Sequence, residues 1–180
     1  MPCSAKGGFA LVQDEPGSGK SCVMRLLAQR LGRHTDRTVA SINHPRSNVA
    51  DSHRELGDLF NLSLRPAQRW NSFKALRDRW IEHISNNRRR RSVLLIDEAQ
   101  EMSPAVLGEL RLMANRHFDS QMLLCVVLAG DNQLLEKLRR EDLLPLGSRI
   151  RTRLVLESAT PKSCVTASIT CSRRRSMPAS

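Results

Sequence analysis

The chain of 180 residues has no long apolar run. The longest, Met122 to Ala129, is far too short to cross a bilayer. The first residues, Met-Pro-Cys-Ser-Ala-Lys, also lack the apolar stretch of a signal peptide. We therefore expect a cytoplasmic protein with no transmembrane segment. The length fits one globular domain, and a hydrophobic content of 40% excludes a chain that is disordered overall.

Cysteines are few and lack any metal-binding pattern. There are five, an odd number, and no two have the C-x-x-C spacing. A disulfide framework and a zinc site are therefore not expected, and reduced thiols are.

Acidic residues are outnumbered: 18 Asp and Glu stand against 29 Lys and Arg, which gives a net charge of +11. Such a surface favours polyanions such as nucleic acid, although a basic face that is merely solvated has the same composition. The sequence contains no helix-turn-helix, zinc-finger or RNA-binding aromatic motif. The run from Arg88 to Arg91 could grip a phosphodiester backbone or an acidic partner, or be a basic loop without a partner.

Apolar strands alternate with amphipathic helices, which predicts a parallel sheet covered on both faces. Strands are expected at 9–12, 38–42, 92–96, 122–129 and 154–156, and helices at 21–31, 51–62, 69–84, 104–115 and 133–139. Trp70 and Trp80 lie in step with other apolar residues of one helix, so they are expected in the core rather than on a nucleotide-binding surface. After residue 157 the composition turns to Ser, Thr, Ala and Arg, and 158–180 is expected to be a flexible tail.

Residues 14–21 carry the strongest motif, Asp-Glu-Pro-Gly-Ser-Gly-Lys-Ser. It matches the P-loop pattern G-x-x-x-x-G-K-[ST] at its last three positions, between a strand and a helix. In such a loop Lys20 would neutralise the β and γ phosphates, and the Ser21 hydroxyl would ligate Mg²⁺. The expected phosphate-binding residues are Pro16, Gly17, Ser18, Gly19, Lys20, Ser21 and Cys22.

Asp14 departs from the P-loop pattern, because the first position of that pattern is a glycine. A carboxylate there could repel a nucleotide or crowd a turn that is made for glycine. This substitution favours weakened binding or turnover.

A second acidic motif supports the P-loop. The apolar strand predicted at 92–96 ends in Asp97 and Glu98, as in the Walker B element of NTPases. Asp97 would hold Mg²⁺ through water, and Glu98 would orient and deprotonate the attacking water.

Two further residues have open roles. Asp131 follows the next strand and could reach the γ-phosphate or the attacking water, or be a loop residue with no part in catalysis. Arg149 heads the series Arg149, Arg151 and Arg153 and could act as an arginine finger on a neighbouring subunit. The alternative is an exposed basic strand edge.

Together these motifs resemble the AAA+ class of P-loop ATPases. The stretches 94–104, 107–112, 127–130 and 146–151 are most similar to ATPases of the general secretion pathway protein A type and to the ATP-binding subunits of transposition systems. The resemblance covers residues 8–157. It implies a three-layer α/β P-loop NTPase fold around a parallel five-stranded sheet, binding of ATP and Mg²⁺, and assembly into homo-oligomers in the full-length family.

The resemblance also implies a helical lid domain after the core, and the Ser- and Arg-rich tail stands in its place, so the lid is expected to be missing. Two functions remain open. One is an ATPase core, 1–157, that hydrolyses Mg·ATP and works with DNA and a transposase. The other is a nucleotide-binding interaction module, of the secretion type or truncated, with little or no turnover.

Overall fold

A computed structural model describes residues 8–15, 17–45, 48–64, 69–86, 91–116 and 121–156. The strands are β1 (Gly8–Gln13), β2 (Arg37–Ile42), β3 (Arg91–Ile96), β4 (Asn115–Arg116), β5 (Gln121–Met122), β6 (Leu124–Gly130) and β7 (Ile150–Val155). The helices are α1 (Lys20–Gly32), α2 (Val49–Leu59), α3 (Arg69–Asn86), α4 (Pro104–Met113), α5 (Asn132–Arg139) and α6 (Leu144–Gly147). A short 3₁₀ turn, Ala99–Glu101, follows β3.

Five strands form one sheet in the order β2-β3-β6-β1-β7. Every neighbouring pair in it is parallel. β4 and β5 form a separate antiparallel pair. The parallel five-stranded sheet confirms the fold class that the alternation of strands and helices indicated.

Helices cover the two faces of the sheet unequally. On one face, side chains such as Leu94 and Leu128 pack in a large core against α2 to α6. On the other face, a smaller core that includes Val12 and Val127 packs against Met24 and its neighbours in α1. Both faces of the central strands are therefore buried, which explains why the sequences of these strands are continuous apolar runs.

Most predicted elements are confirmed within a few residues. Ser103 caps α4, since its Oγ accepts a hydrogen bond from the Val106 N–H at 3.4 Å. The last strand begins at Ile150, four residues before the expected start at Leu154. In this edge strand the exposed Arg151 and Arg153 alternate with half-buried residues, so the apolar run is too short to mark its beginning. The expected tail, 158–180, lies outside the described residues, as does the run 88–90, and the boundary at 157 stays a prediction.

The two tryptophans of α3 have different environments. Trp80 is fully buried and packs edge-to-face on Phe60, with ring centroids 5.4 Å apart. Trp70 was expected in the core as well, but it is 71% exposed. It lies in the first turn of α3 and stacks on Phe73, with centroids 5.8 Å apart, and Arg77 lies over the other ring of this stack, Phe73, at 5.5 Å. The prediction was wrong for Trp70 because the spacing of apolar residues shows which side of a helix is apolar. It does not show which turns of the helix are covered by other elements.

In the part of the chain that the structure describes, no helix is both long and apolar enough to cross a membrane.

Candidate functional site

Three central strands bring the candidate residues to one edge of the sheet. β3, β6 and β1 are neighbours, and Gln13 at the end of β1 is in register with Gly130 at the end of β6. The loops that carry Asp14, Asp97 and Asp131 begin directly after these three strands. The carboxyl ends of neighbouring parallel strands are where open α/β sheets bind ligands.

The phosphate loop has the backbone of an anion-binding site. Gly17 and Gly19 have φ of +84° and +92°, in the left-handed region that favours glycine. Gly19 precedes α1 and provides no side-chain cap. The first N–H groups of α1 therefore lack both intrahelical acceptors and a capping side chain, and the positive end of the helix faces the loop. Pro16 lies outside the described residues.

Lys20 is the first residue of α1 and is 6% exposed, and its side chain lies against the phosphate loop. Its ammonium group donates to the carbonyl oxygens of Asp14 at 3.1 Å and Glu15 at 2.7 Å. These bonds hold the ammonium charge inside the loop, where it would face phosphate oxygens.

Asp14 fits its place without backbone strain. Among the described non-glycine residues, positive φ occurs at Asn61 and Glu98, so Asp14 is outside the region that requires glycine. Its Oδ1 accepts a hydrogen bond from the Glu15 N–H at 2.7 Å, and its N–H donates to the carbonyl of Gly130 at 3.4 Å. The backbone at this position therefore does not require glycine. The remaining consequence of this substitution is the carboxylate itself, whose Oδ2 is buried and has no hydrogen-bond partner among the described residues.

The two acidic residues after β3 differ in environment. Asp97 is 6% exposed, and its Oδ1 accepts the N–H of Glu98 at 3.0 Å. Glu98 is half-buried and has φ 52° and ψ 39°. This left-handed conformation is uncommon for a residue with a side chain, and such strain is concentrated at functional sites.

Gln100 joins the loop that carries Asp97 and Glu98 to helix α5. Its Nε2 donates to Glu98 Oε2, and its backbone carbonyl accepts a hydrogen bond from the Lys137 ammonium in α5. Lys137 also donates to the Met102 carbonyl at 3.2 Å. Lys137 thus holds the backbone of the 3₁₀ turn at Gln100 and at Met102, the residue directly after the turn.

Asp131 caps α5: its Oδ1 accepts the N–H of Gln133 at 2.8 Å. The adjacent Asn132 accepts a hydrogen bond from the side chain of Gln13 at 2.9 Å. These contacts fix the loop after β6 against the end of β1.

These loops surround a cleft of about 350 Å³. Seven of the predicted site residues line it: Gly17, Gly19, Lys20, Ser21, Cys22, Glu98 and Asp131. The structure therefore brings the phosphate loop, the acidic loop and the loop after β6 to one cavity. Asp97 lies directly beside Glu98 in the chain, and Ser18 lies within the loop itself.

Two residues that line the cleft were not predicted, Arg25 and Gln100. Arg25 follows Ser21 by four residues on α1, so the helical spacing places both on one side of the helix and could have found it. Gln100 follows Glu98 by two residues in an irregular turn, where no periodicity applies.

Arg149 lies away from this cleft. It follows α6, where its Nη1 donates to the carbonyl of Pro145. The role of Arg149 as an arginine finger on a neighbouring subunit therefore stays a prediction.

Comparison with known proteins agrees with this architecture. Residues 5–138 match the AAA domain family. The chain is 38% identical over 149 residues to General secretion pathway protein A of Aeromonas hydrophila. That alignment covers 82% of this chain but only 26% of the relative, so the chain spans about a quarter of that protein's length.

Solved structures share the fold. The ORC2 protein of Aeropyrum pernix superposes with a TM-score of 0.62 at 14% identity, over 86% of this chain and 43% of that one. Cdc6p of Pyrobaculum aerophilum gives a TM-score of 0.57 at 20% identity, over 79% of this chain and 38% of that one. With its strand order, its phosphate loop and its matched residues, the chain belongs to the AAA domain family and has the P-loop NTPase fold.

Proposed function

We propose that this chain binds ATP with Mg²⁺ in the cleft and hydrolyses it. The observation that carries the proposal is the convergence of Lys20, Ser21, Glu98 and Asp131 around one cavity at the carboxyl end of the sheet. Its volume suits a nucleotide. The positive end of α1 and the ammonium of Lys20 supply a site for the phosphates. The carboxylates of Glu98 and Asp131 line the same cleft.

Each residue has a distinct task in this proposal. Lys20 and the first N–H groups of α1 bind the phosphates. The Ser21 hydroxyl and the Asp97 carboxylate are hard oxygen ligands, and Mg²⁺ prefers such ligands together with phosphate and water. The metal would neutralise charge that develops on the phosphates. Glu98 takes a proton from water as the water oxygen bonds to the γ-phosphorus and the bond to the β-phosphate oxygen breaks.

Calorimetric titration of Mg·ATP into the parent and into Lys20→Ala tests the binding. We expect micromolar binding by the parent and its loss in Lys20→Ala. The matched control is Lys74→Ala, which removes an exposed lysine of α3 that does not line the cleft. A folded parent that takes up no nucleotide would refute the proposal.

Turnover is tested separately with Glu98→Gln, which keeps the shape of the side chain and removes the base. We expect hydrolysis to fall about 100-fold or more, because general bases typically contribute 10²–10⁴-fold. Equal turnover by this variant and the parent would remove Glu98 from the role of base. Nucleotide binding without hydrolysis by the parent would favour the alternative of an interaction module, in which ATP acts only as a conformational ligand.

Arg149 completes the proposal as an arginine finger that acts between subunits of a homo-oligomer. Its position outside the cleft of its own chain supports a role in trans. Arg149→Ala should therefore lower turnover while Arg151→Ala, an exposed residue of the edge strand, should not. Mixing the inactive Arg149→Ala and Glu98→Gln proteins should restore some hydrolysis if the finger acts across an interface.

For the partner, we propose DNA, as in a transposition accessory ATPase that serves a transposase. The net charge of +11 and the exposed stack of Trp70 and Phe73 beside Arg77 support it, since bases stack on exposed aromatic rings and cations bind the backbone. The relative's name, General secretion pathway protein A, supports the secretion-type alternative instead.

Anisotropy of labelled single-stranded DNA separates the two partners. We expect binding that weakens with salt and is reduced in Trp70→Ala, together with faster ATP hydrolysis when DNA is added. If DNA neither binds nor stimulates hydrolysis, the DNA proposal is refuted and the secretion-type alternative is favoured.

A further inference from the structure

Gln100 has an unusual hydrogen-bond arrangement for a buried residue. It is 7% exposed and lines the cleft with Glu98. Its side-chain Nε2 donates to Glu98 Oε2, while its Oε1 is buried and has no hydrogen-bond partner in the described part of the chain. A buried amide oxygen without a donor is unfavourable, so the arrangement needs a compensating contact.

The compensating contact is the hydrogen bond from Gln100 Nε2 to the charged carboxylate of Glu98. If the amide of Gln100 turned over, its oxygen would face the carboxylate, and two acceptors would repel each other. The orientation that leaves Oε1 unpaired is thus the one that gives Glu98 a donor. Because a bond to a charged acceptor is stronger than one between neutral groups, it can offset the unpaired oxygen.

The surroundings hold this side chain from two further directions. Lys137 of α5 fixes the backbone carbonyl of Gln100. On the side-chain end, a Cβ placed on Gly130 would lie 2.8 Å from Gln100 Oε1. Glycine at the end of β6 therefore makes the space that the amide occupies, directly before Asp131.

We infer that Gln100 is a positioning residue that orients the catalytic glutamate for hydrolysis. Its amide holds Oε2 of Glu98, which leaves the other carboxylate oxygen to accept the proton from water. The left-handed backbone of Glu98 and the fixed backbone of Gln100 set the direction of this pair. The inference rests on the proposed hydrolysis and adds a residue that acts through Glu98 without touching the reacting atoms.

Steady-state hydrolysis by Gln100→Ala, with Gln29→Ala as a control on the exposed side of α1, tests the inference. We expect kcat to fall about 10- to 100-fold, a part of what a general base supplies, with the Kd for ATP within about twofold of the parent. Gln29→Ala should match the parent. A parent-like kcat in Gln100→Ala would overturn the inference.

Gln100→Glu gives a second readout that a packing role would not move. The new side chain has nearly the same shape and donates a hydrogen bond only when protonated. Two ionised carboxylates would repel each other, so the activity of this variant relative to the parent should rise as pH falls. If the activity of Gln100→Glu relative to the parent does not change with pH, the inference is refuted. This test remains decisive even if Gln100→Ala does not fold.

Nuclear magnetic resonance of the side-chain amides, without nucleotide, separates this inference from the proposed function. The Gln100 amide signals, assigned by their loss in Gln100→Glu, should shift and exchange faster with water in Glu98→Ala. Unchanged signals would overturn the contact whatever the turnover. A parent that binds but does not hydrolyse ATP would refute the proposed hydrolysis and with it the catalytic part of the inference, while the amide signals would still decide the contact.

Discussion

Replacing Gly130 by alanine should destabilise the protein, because the new methyl group has no room. Its Cβ would lie 2.7 Å from Leu134 Cδ2, 3.0 Å from Leu134 Cβ and 2.8 Å from Gln100 Oε1. Leu134 is fully buried, so its side chain cannot move into solvent, and its Cβ is fixed to the backbone of α5. Relief requires a shift of α5, which begins at Asn132, away from the sheet.

The expected loss follows from two opposing terms. Overpacking a buried site costs about 1–3 kcal/mol. Alanine also restricts the unfolded chain, which returns about 0.4–1 kcal/mol where the native backbone suits it. Gly130 lies in strand β6 and is not among the described glycines with positive φ, so the backbone itself suits alanine. We therefore expect a net loss of about 1–2 kcal/mol in the free energy of unfolding.

Gly108→Ala is the matched control. Gly108 lies inside α4, and among the described residues no atom beyond its chain neighbours and the nearby backbone of α4 is within 4 Å of a Cβ placed there. Alanine in the interior of a helix should raise the free energy of unfolding by about 0.5–1 kcal/mol. Urea unfolding followed by circular dichroism at 222 nm would measure both variants. If Gly130→Ala proves as stable as the parent while Gly108→Ala behaves as expected, the crowding at the end of β6 is refuted.

Further substitutions test other contacts. Trp80→Ala should lose about 3–5 kcal/mol of stability in urea unfolding, whereas the exposed Trp70→Ala should stay within about 0.5 kcal/mol of the parent. Ser103→Ala should cost about 1 kcal/mol in the same assay, since it removes the cap of α4. Lys137→Met should lower kcat more than it changes the Kd for ATP, because it releases the backbone of the turn that carries Gln100; parent-like kinetics would argue against that coupling. Asp14→Asn should tighten ATP binding a few-fold in calorimetry, with an effect that shrinks at high salt; an effect independent of salt would mean that charge is not its cause.

The sheet could be predicted from the sequence because its strands are buried on both faces. β3 and β6 consist almost entirely of apolar residues, so composition alone marks them. Among the described strands, β7 pairs only with β1, and it exposes Arg151 and Arg153, so its first half gave no such signal. The environment of Trp70 was missed for a related reason: the spacing of apolar residues describes one helix and not its neighbours.

The lining of the cleft also contains residues that could be predicted and one that could not. Lys20, Ser21 and Glu98 could be predicted because a local pattern places each of them, a glycine-rich loop before a helix or a carboxylate after a strand. The position of Gln100 could not, because it depends on groups distant in the chain, the ammonium of Lys137 and the absence of a side chain at Gly130. No pattern within a few residues of Gln100 contains that information.

Asp14 shows the opposite case, in which a local pattern suggested a constraint that the backbone does not impose. A glycine in a motif is required either for positive φ or for the space that its missing side chain leaves. Gly17 and Gly19 meet the first condition, and Gly130 meets the second. Asp14 has no positive φ, and its carboxylate bonds to the N–H of the next residue. The first position of this phosphate loop can therefore hold a side chain, and what remains of the expected penalty is electrostatic. It acts on the nucleotide by repulsion and on the fold as well, because Oδ2 of Asp14 is buried without a hydrogen-bond partner among the described residues.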